Sequence, residues 1–134
     1  MRRGKPLVLV IDDETHIVHV VHLKLTHAGY DVMTAEDGEE GLELALTHQP
    51  DLIITDYQMP FLTGLELCQR LKEHEPTCNT PALMLTARGA NIQQEQLDRT
   101  NIAAVIKKPF SPREILLRVQ ELLDQPDAAT QPDD

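Results

Sequence analysis

No tryptophan occurs in the 134 residues, and only two tyrosines and two phenylalanines do. So few rings leave little with which to sandwich a flavin. Cysteine is equally scarce: Cys68 falls in a predicted helix and Cys78 in a Pro/Thr-rich loop, so both are expected as free thiols in a reducing cytoplasm. Six glycines, two cysteines and a mixed composition exclude collagen-like, disulfide-rich and strongly disordered classes. Long apolar runs are missing too. Behind the basic lead-in of residues 1–6, the run Leu7 to Ile11 ends at Asp12, too short for a signal segment or a membrane span, so the chain is expected to be neither exported nor inserted. Positive charge is in short supply, with twelve bases against twenty-two acids and a formal net charge of −10. Such a balance argues against direct nucleic-acid binding and against an anionic membrane, either of which needs a basic face.

The deficit is local. Between Lys24 and Arg70 there is no Lys or Arg, while Asp31, Glu36, Asp37, Glu39, Glu40, Glu43, Asp51, Asp56 and Glu66 all fall there. This reads either as a solvated acidic face or as a set in which some acids attract a cation, metal or protein.

What is present is a regular alternation. Apolar runs at Leu7–Ile11, Leu52–Thr55, Ala82–Thr86 and Ile102–Ile106 are four or five residues long and unalternated, the pattern of strands buried on both faces. Tyr30 to Thr34 alternates instead and suits an edge strand. Between them, Ile17, Val20, Val21, Lys24, Leu25 and Ala28 recur at helical spacing before Gly29, which suits a helix end. Asp37 can cap a second helix carrying Leu42, Ala45 and Leu46, which must stop by Pro50. Thr63-Gly64-Leu65-Glu66 and Ser111-Pro112-Arg113-Glu114 match the capping box and open a third and a last helix. The fourth, roughly Asn91 to Arg99, has only Ile92 and Leu97 as large apolar residues and is expected to be the least anchored. Five βα units in about 120 residues imply a parallel α/β sheet with helices on both faces. Residues 7–123 form the expected domain. Residues 124–134, with two prolines and four acids, are expected to be a flexible acidic tail or the start of a linker.

In open α/β sheets ligands bind beyond the carboxyl ends of the strands. Those ends carry Asp12-Asp13-Glu14, Asp56, Thr86 and Lys108. A single acid at a strand end is ordinarily a turn residue or a helix cap, but here four strands deliver carboxylates, a hydroxyl and an ammonium to one rim. Asp12, Asp13 and Asp56 suit a hard cation such as Mg²⁺, which takes oxygen ligands and keeps some waters. A carboxylate beside such a metal can attack phosphorus, with Lys108 and Thr86 holding the phosphoryl oxygens.

At these residues the chain resembles a response regulator receiver domain of two-component signalling, of the chemotaxis-regulator kind. The resemblance covers roughly Lys5 to Leu123 and is carried by Asp12-Asp13, by Asp56-Tyr57-Gln58-Met59-Pro60 with Gly64, by Thr86-Ala87 and by Lys108-Pro109-Phe110. It implies a doubly wound, flavodoxin-like five-stranded sheet of order 2-1-3-4-5. Asp56 would be the phosphoacceptor, Asp13 a direct Mg²⁺ ligand, Asp12 a ligand through water, and the Gln58 backbone carbonyl the remaining protein ligand. Lys108, not Lys107, would be the functional lysine, and the Lys108–Pro109 bond would be cis, an isomer tolerated before proline. The implied partners are a sensor histidine kinase or a histidine phosphotransfer protein, with a monomer or a weak homodimer expected.

One position departs from the family pattern. Three residues before Lys108, where a Tyr or Phe that swings inward is common, stands Val105. The usual coupling from Thr86 to the fourth and fifth helices is thereby in doubt, and any phosphorylation-dependent change is expected to centre on the fourth helix and the loop before it. Gln58 and Arg88 flank the expected path of an attacking water and would tune the lifetime of a phosphoryl group. His16, His19 and His22 stand three apart on the first helix, where a structural or solvated role is expected, as no third ligand type is evident nearby. Val18 and Leu23, off the main stripe of that helix, are expected to be exposed beside a partner-docking patch.

Competing readings remain at this level. A Mg²⁺-dependent phosphatase of the haloacid dehalogenase type would want a second Asp two residues after the nucleophile, where Gln58 stands. A flavodoxin-like cofactor binder would want a Ser/Thr/Gly-rich loop after the first strand, where Asp12-Asp13-Glu14 would repel a phosphate. A receiver-like interaction module that is never phosphorylated is opposed by the intact acids, Thr86 and Lys108. The chain is expected to be either a stand-alone regulator or the receiver of a longer protein.

Overall fold

The computed structural model describes residues 5–87 and 92–123. Five strands and five helices alternate along the chain: β1 (Leu7–Ile11), α1 (Thr15–His27), β2 (Asp31–Ala35), α2 (Gly38–His48), β3 (Leu52–Asp56), α3 (Gly64–Lys72), β4 (Ala82–Thr86), α4 (Gln94–Leu97), β5 (Ile102–Lys107) and α5 (Pro112–Leu123). All pairings are parallel and the sheet order is β2-β1-β3-β4-β5. The expected fold class and strand order are therefore the observed ones.

The three central strands are buried along their whole length. Because successive side chains of a strand point to opposite faces, each unalternated apolar run feeds two cores. Val8, Val10, Leu52, Ile54, Leu83 and Leu85 join Val21 and Leu25 of α1 and Ile115 and Val119 of α5 on one side. Leu9, Ile11 and Ile53 meet Ala45 of α2 and Leu67, Cys68 and Leu71 of α3 on the other. Each fully buried aliphatic side chain contributes about 1.5–3 kcal/mol relative to exposure, and those of the central strands hold the sheet whose ends carry the charged groups.

The helix signals act through identifiable bonds. Asp37 accepts the Glu40 N–H at 2.8 Å. Thr63 and Glu66 form a reciprocal capping box, the Thr63 hydroxyl accepting the Glu66 N–H and the Glu66 carboxylate accepting the Thr63 N–H. Ser111 Oγ accepts the Glu114 N–H at 3.1 Å, with Pro112 first in α5. Gly29 follows α1 at φ +101°, a conformation that a side chain would oppose.

Four expectations need correction. The run Ile102–Ile106 is not buried on both faces: β5 is the second edge of the sheet, Ala103 and Val105 are exposed, and only Ile106 is fully covered. Alanines at 103 and 104 made an edge strand read like an interior one. β2 begins at Asp31 rather than Tyr30, because the Tyr30 N–H still bonds to the Leu25 carbonyl of α1. Helix α4 has four residues, not nine; Asn91 lies outside the described residues, and none of its side chains is buried. On α1, Val20 is exposed although it lies on the apolar stripe, while Val18 is half-buried and Leu23 exposed. The reason is width: only Val21 and Leu25 of α1 are fully buried, Ile17 packs at the margin of the same core, and Val20 beside them stays exposed. The expectations for residues 1–4 and for the acidic tail, residues 124–134, fall outside the described residues, as does Arg88.

Candidate functional site

Parallel register brings the ends of β1, β3, β4 and β5 to one rim. Asp12 leaves β1 with its N–H on the Ala35 carbonyl, and its Oδ1 accepts the Glu14 N–H at 2.9 Å, turning the chain into α1. Asp56 is the last residue of β3, opposite Leu85 of β4. The loop that follows it is folded tightly back: Gly64 donates its N–H to the Tyr57 carbonyl at 2.9 Å, and a Cβ at Gly64 would collide with the Asp56 carbonyl oxygen. Thr86 ends β4, and its carbonyl accepts the Lys108 N–H at 2.6 Å, directly before a cis Lys108–Pro109 bond.

At the centre of the rim stands Lys108. Its Nζ lies 2.8 Å from Glu14 Oε1, 3.0 Å from Asp56 Oδ1 and 3.2 Å from Asp12 Oδ2. Asp12, Asp13 and Asp56 each present a carboxylate oxygen within 4.8 Å of the others, and among the described residues this is the one group of metal-ligating side chains so gathered. Asp12 and Asp56 are buried and Asp13 is exposed. A compact group of hard oxygens with an open side fits a hard divalent cation.

Environment tunes these charges. Burial pushes the Asp12 carboxyl up to about 6, against the Glu14 N–H and Lys108, which favour its charged form. Burial also raises Asp56, with Lys108 opposing. Glu14 is held below its ordinary value by the Lys108 hydrogen bond. Lys108 is penalised by burial, yet Glu14, Asp56 and Asp12 outweigh that and hold its pKa above the usual lysine value.

The structure thus brings Asp12, Asp13, Asp56 and Lys108 together, with Thr86 buried at the adjoining strand end. Gln58 is exposed, two residues past Asp56 in the loop to α3. Lys107, the last residue of β5, is exposed, and the ion pairs with Asp12, Glu14 and Asp56 are made by Lys108. His16 and His19 are exposed and His22 half-buried, and none joins the carboxylate group. Both cysteines are free; Cys68 is buried, which pushes its thiol up to about 12. The residue that sequence reasoning passed over is Glu14, which makes the shortest of the three Lys108 contacts. Its signal was its place in the acidic triplet Asp12-Asp13-Glu14, facing a rim with one lysine.

A five-stranded 2-1-3-4-5 sheet with an acidic triad paired to a lysine at its carboxyl edge defines the class of receiver-type signalling folds. The response regulator receiver domain family matches residues 8–120, and the chain belongs to that family. It is 40% identical over 122 residues to the alkaline phosphatase synthesis transcriptional regulatory protein PhoP of Bacillus subtilis, covering 91% of this chain and 50% of that protein. Among solved structures it is similar to the chemotaxis protein CheY4 of Vibrio cholerae, with a TM-score of 0.83 and 33% identity over 90% of this chain and 100% of the other. It shares its fold, at 22% identity and a TM-score of 0.80, with the receiver domain of the sensor histidine kinase PA1611 of Pseudomonas aeruginosa, covering 90% of this chain and 99% of that one; a magnesium ion is coordinated in that protein's active site cleft. The chain spans about half the length of the curated relatives it matches. Among the described residues no helix is long and apolar enough to cross a membrane.

Proposed function

We propose that this receiver domain is a cytoplasmic phosphoacceptor switch that takes a phosphoryl group onto Asp56 from a histidine kinase or a histidine phosphotransfer protein. The single observation that carries this reading is the Lys108 ammonium 3.0 Å from Asp56 Oδ1 inside a three-carboxylate group. In it, Asp56 Oδ attacks phosphorus, the donor's P–N bond breaks, and the released imidazole keeps the bonding pair. Lys108 then turns a donor to a phosphoryl oxygen, and the Thr86 hydroxyl supplies another hydrogen bond. Asp12, Asp13, Asp56 and the Gln58 carbonyl would hold Mg²⁺, which when bound neutralises charge on the transferring group. Catalysis here is positioning and charge balance, not acid–base work.

Partner docking beside Asp56 is supported by an apolar recess of about 450 Å³ next to Lys108, lined by Ile17 and Val20 of α1 and by Pro109, Phe110 and Pro112. The exposed Val20 contributes to that recess and accounts for an outward-facing stripe residue.

The test is incubation with Mg²⁺ and a small phosphodonor, followed by intact mass, on the native chain and on Asp56→Asn. A phosphoryl adduct on the native chain alone is the expected result. An adduct that persists in Asp56→Asn removes the site assignment, and no adduct on either chain favours the interaction-only module.

A further inference from the structure

Lys108 has three N–H donors, and three carboxylates surround it. Glu14 makes the shortest contact, at 2.8 Å against 3.0 Å for Asp56 and 3.2 Å for Asp12. Glu14 sits at the N-cap of α1, but its side chain makes no cap bond there. It is also the outermost of the three, with 48% of its side chain exposed against 0% for Asp12 and 8% for Asp56. Its N–H is tied to Asp12 Oδ1, so the carboxylate is aimed at Lys108 by a short closed ring of bonds.

The ammonium competes with a divalent cation, because both neutralise Asp12 and Asp56. A carboxylate that draws the ammonium outward leaves those oxygens to the metal. The same carboxylate occupies a donor that a phosphoryl oxygen would need, and it adds a like charge beside that group. We propose that Glu14 is a positioning residue that divides Lys108 between two duties, favouring divalent-cation binding and restraining phosphoryl binding. The phosphoryl half rests on the receiver chemistry proposed above.

The experiment uses the full chain and Glu14→Gln, which keeps the shape and an acceptor oxygen but loses the charge. Calorimetric titration with Mg²⁺ alone gives the first affinity. Titration with beryllofluoride at saturating Mg²⁺ gives the second, and thermal melts report folding. Glu14→Gln is expected to weaken Mg²⁺ binding and tighten beryllofluoride binding, each by roughly threefold to fivefold, as loss of one half-exposed charge a few ångströms away implies. Glu14→Ala gives the same two signs. In a Lys108→Gln background the Glu14→Gln effects shrink to less than half, because the residue acts through the lysine. A merely structural role would move both affinities the same way. Both affinities shifting in one direction, neither shifting, or an undiminished effect without Lys108 overturns the proposal. A native chain that binds Mg²⁺ and takes no beryllofluoride overturns the phosphoacceptor reading, and the phosphoryl half of this one with it.

Discussion

Lys108 Nζ and Asp12 Oδ2, 96 residues apart in the chain, lie 3.2 Å from each other. The pair joins the loop after β1 to the loop after β5 across the end of β3, and it sits in a group with more negative than positive charge. Without a cation the arrangement is a local cost, of the kind that functional sites carry at the expense of stability.

Asp12→Asn is expected to stabilise the metal-free chain at neutral pH. The Asp12 carboxyl has its folded pKa raised from 3.8 to about 6, so above pH 6 the fold holds a charge that its surroundings disfavour. As pH falls from 7 through 6 towards 4, the folded chain takes up a proton that the unfolded chain does not, and this group's penalty, on the order of 1–3 kcal/mol, is relieved. Melting curves in EDTA at pH 7.5 and 5.5 should show that Asp12→Asn melts higher than the native chain at pH 7.5 and that the gap is narrower at pH 5.5, closing only as pH approaches 4. Its affinity for Mg²⁺ should fall.

Lys108→Met removes the one cation that, among the described residues, is paired with Asp12 and Asp56. Both carboxylates then lack compensation, so the metal-free chain should lose about 1–3 kcal/mol at pH 7.5. The loss should be smaller at pH 5, where the buried acids take up protons, and Mg²⁺ should restore most of it. Denaturant midpoints with and without Mg²⁺ provide the check.

Gly64→Ala tests the packing that aims Asp56. Its Cβ would run into the Asp56 carbonyl oxygen, backbone that cannot turn aside. A loss of about 2–4 kcal/mol is expected, together with weaker Mg²⁺ binding as the end of β3 shifts. By contrast Thr63→Ala, one residue earlier, removes half of the capping box and should cost about 1 kcal/mol with Mg²⁺ affinity unchanged.

Helix α4 buries no side chain, whereas every residue of the neighbouring β4 is buried. Amides of Gln94 to Leu97 should therefore exchange far faster than those of Ala82 to Thr86, by opening that needs little free energy. Beryllofluoride with Mg²⁺ should change the α4 rates more than those of any other helix. Equal α4 rates in both states would contradict a switch centred there.

Much of this architecture was legible because it rests on local chemistry. Unalternated runs such as Leu52-Ile53-Ile54 have side chains for two faces, and Asp37, Thr63 and Ser111 satisfy helix N–H groups within three or four residues of themselves. The strand ends, and hence the identities of Asp12, Asp13, Asp56, Thr86 and Lys108, followed from where those runs stop. Edges were less legible. β5 has the composition of a covered strand, and only the absence of a sixth strand beside it among the described residues makes Ala103 and Val105 surface residues. Helix α4 failed for a related reason, since two large apolar residues are too few to extend a helix without neighbours to pack on.

The scarcity of positive charge between Lys24 and Arg70 is a property of the sequence alone, and so is the gathering of acids after β1. The strand runs likewise determined a parallel α/β sheet before any contact was known. Which acids share the lysine was decided only by the tertiary structure. Parallel register sets Thr86 opposite Lys107 and Asp56 opposite Leu85, and so carries Lys108 to within 3.2 Å of three carboxylates from two other strand ends. Distances across strands depend on register and burial, which no local pattern encodes. The pairing of Glu14 with Lys108, and the raised pKa of Asp12, exist only once the sheet has closed around them.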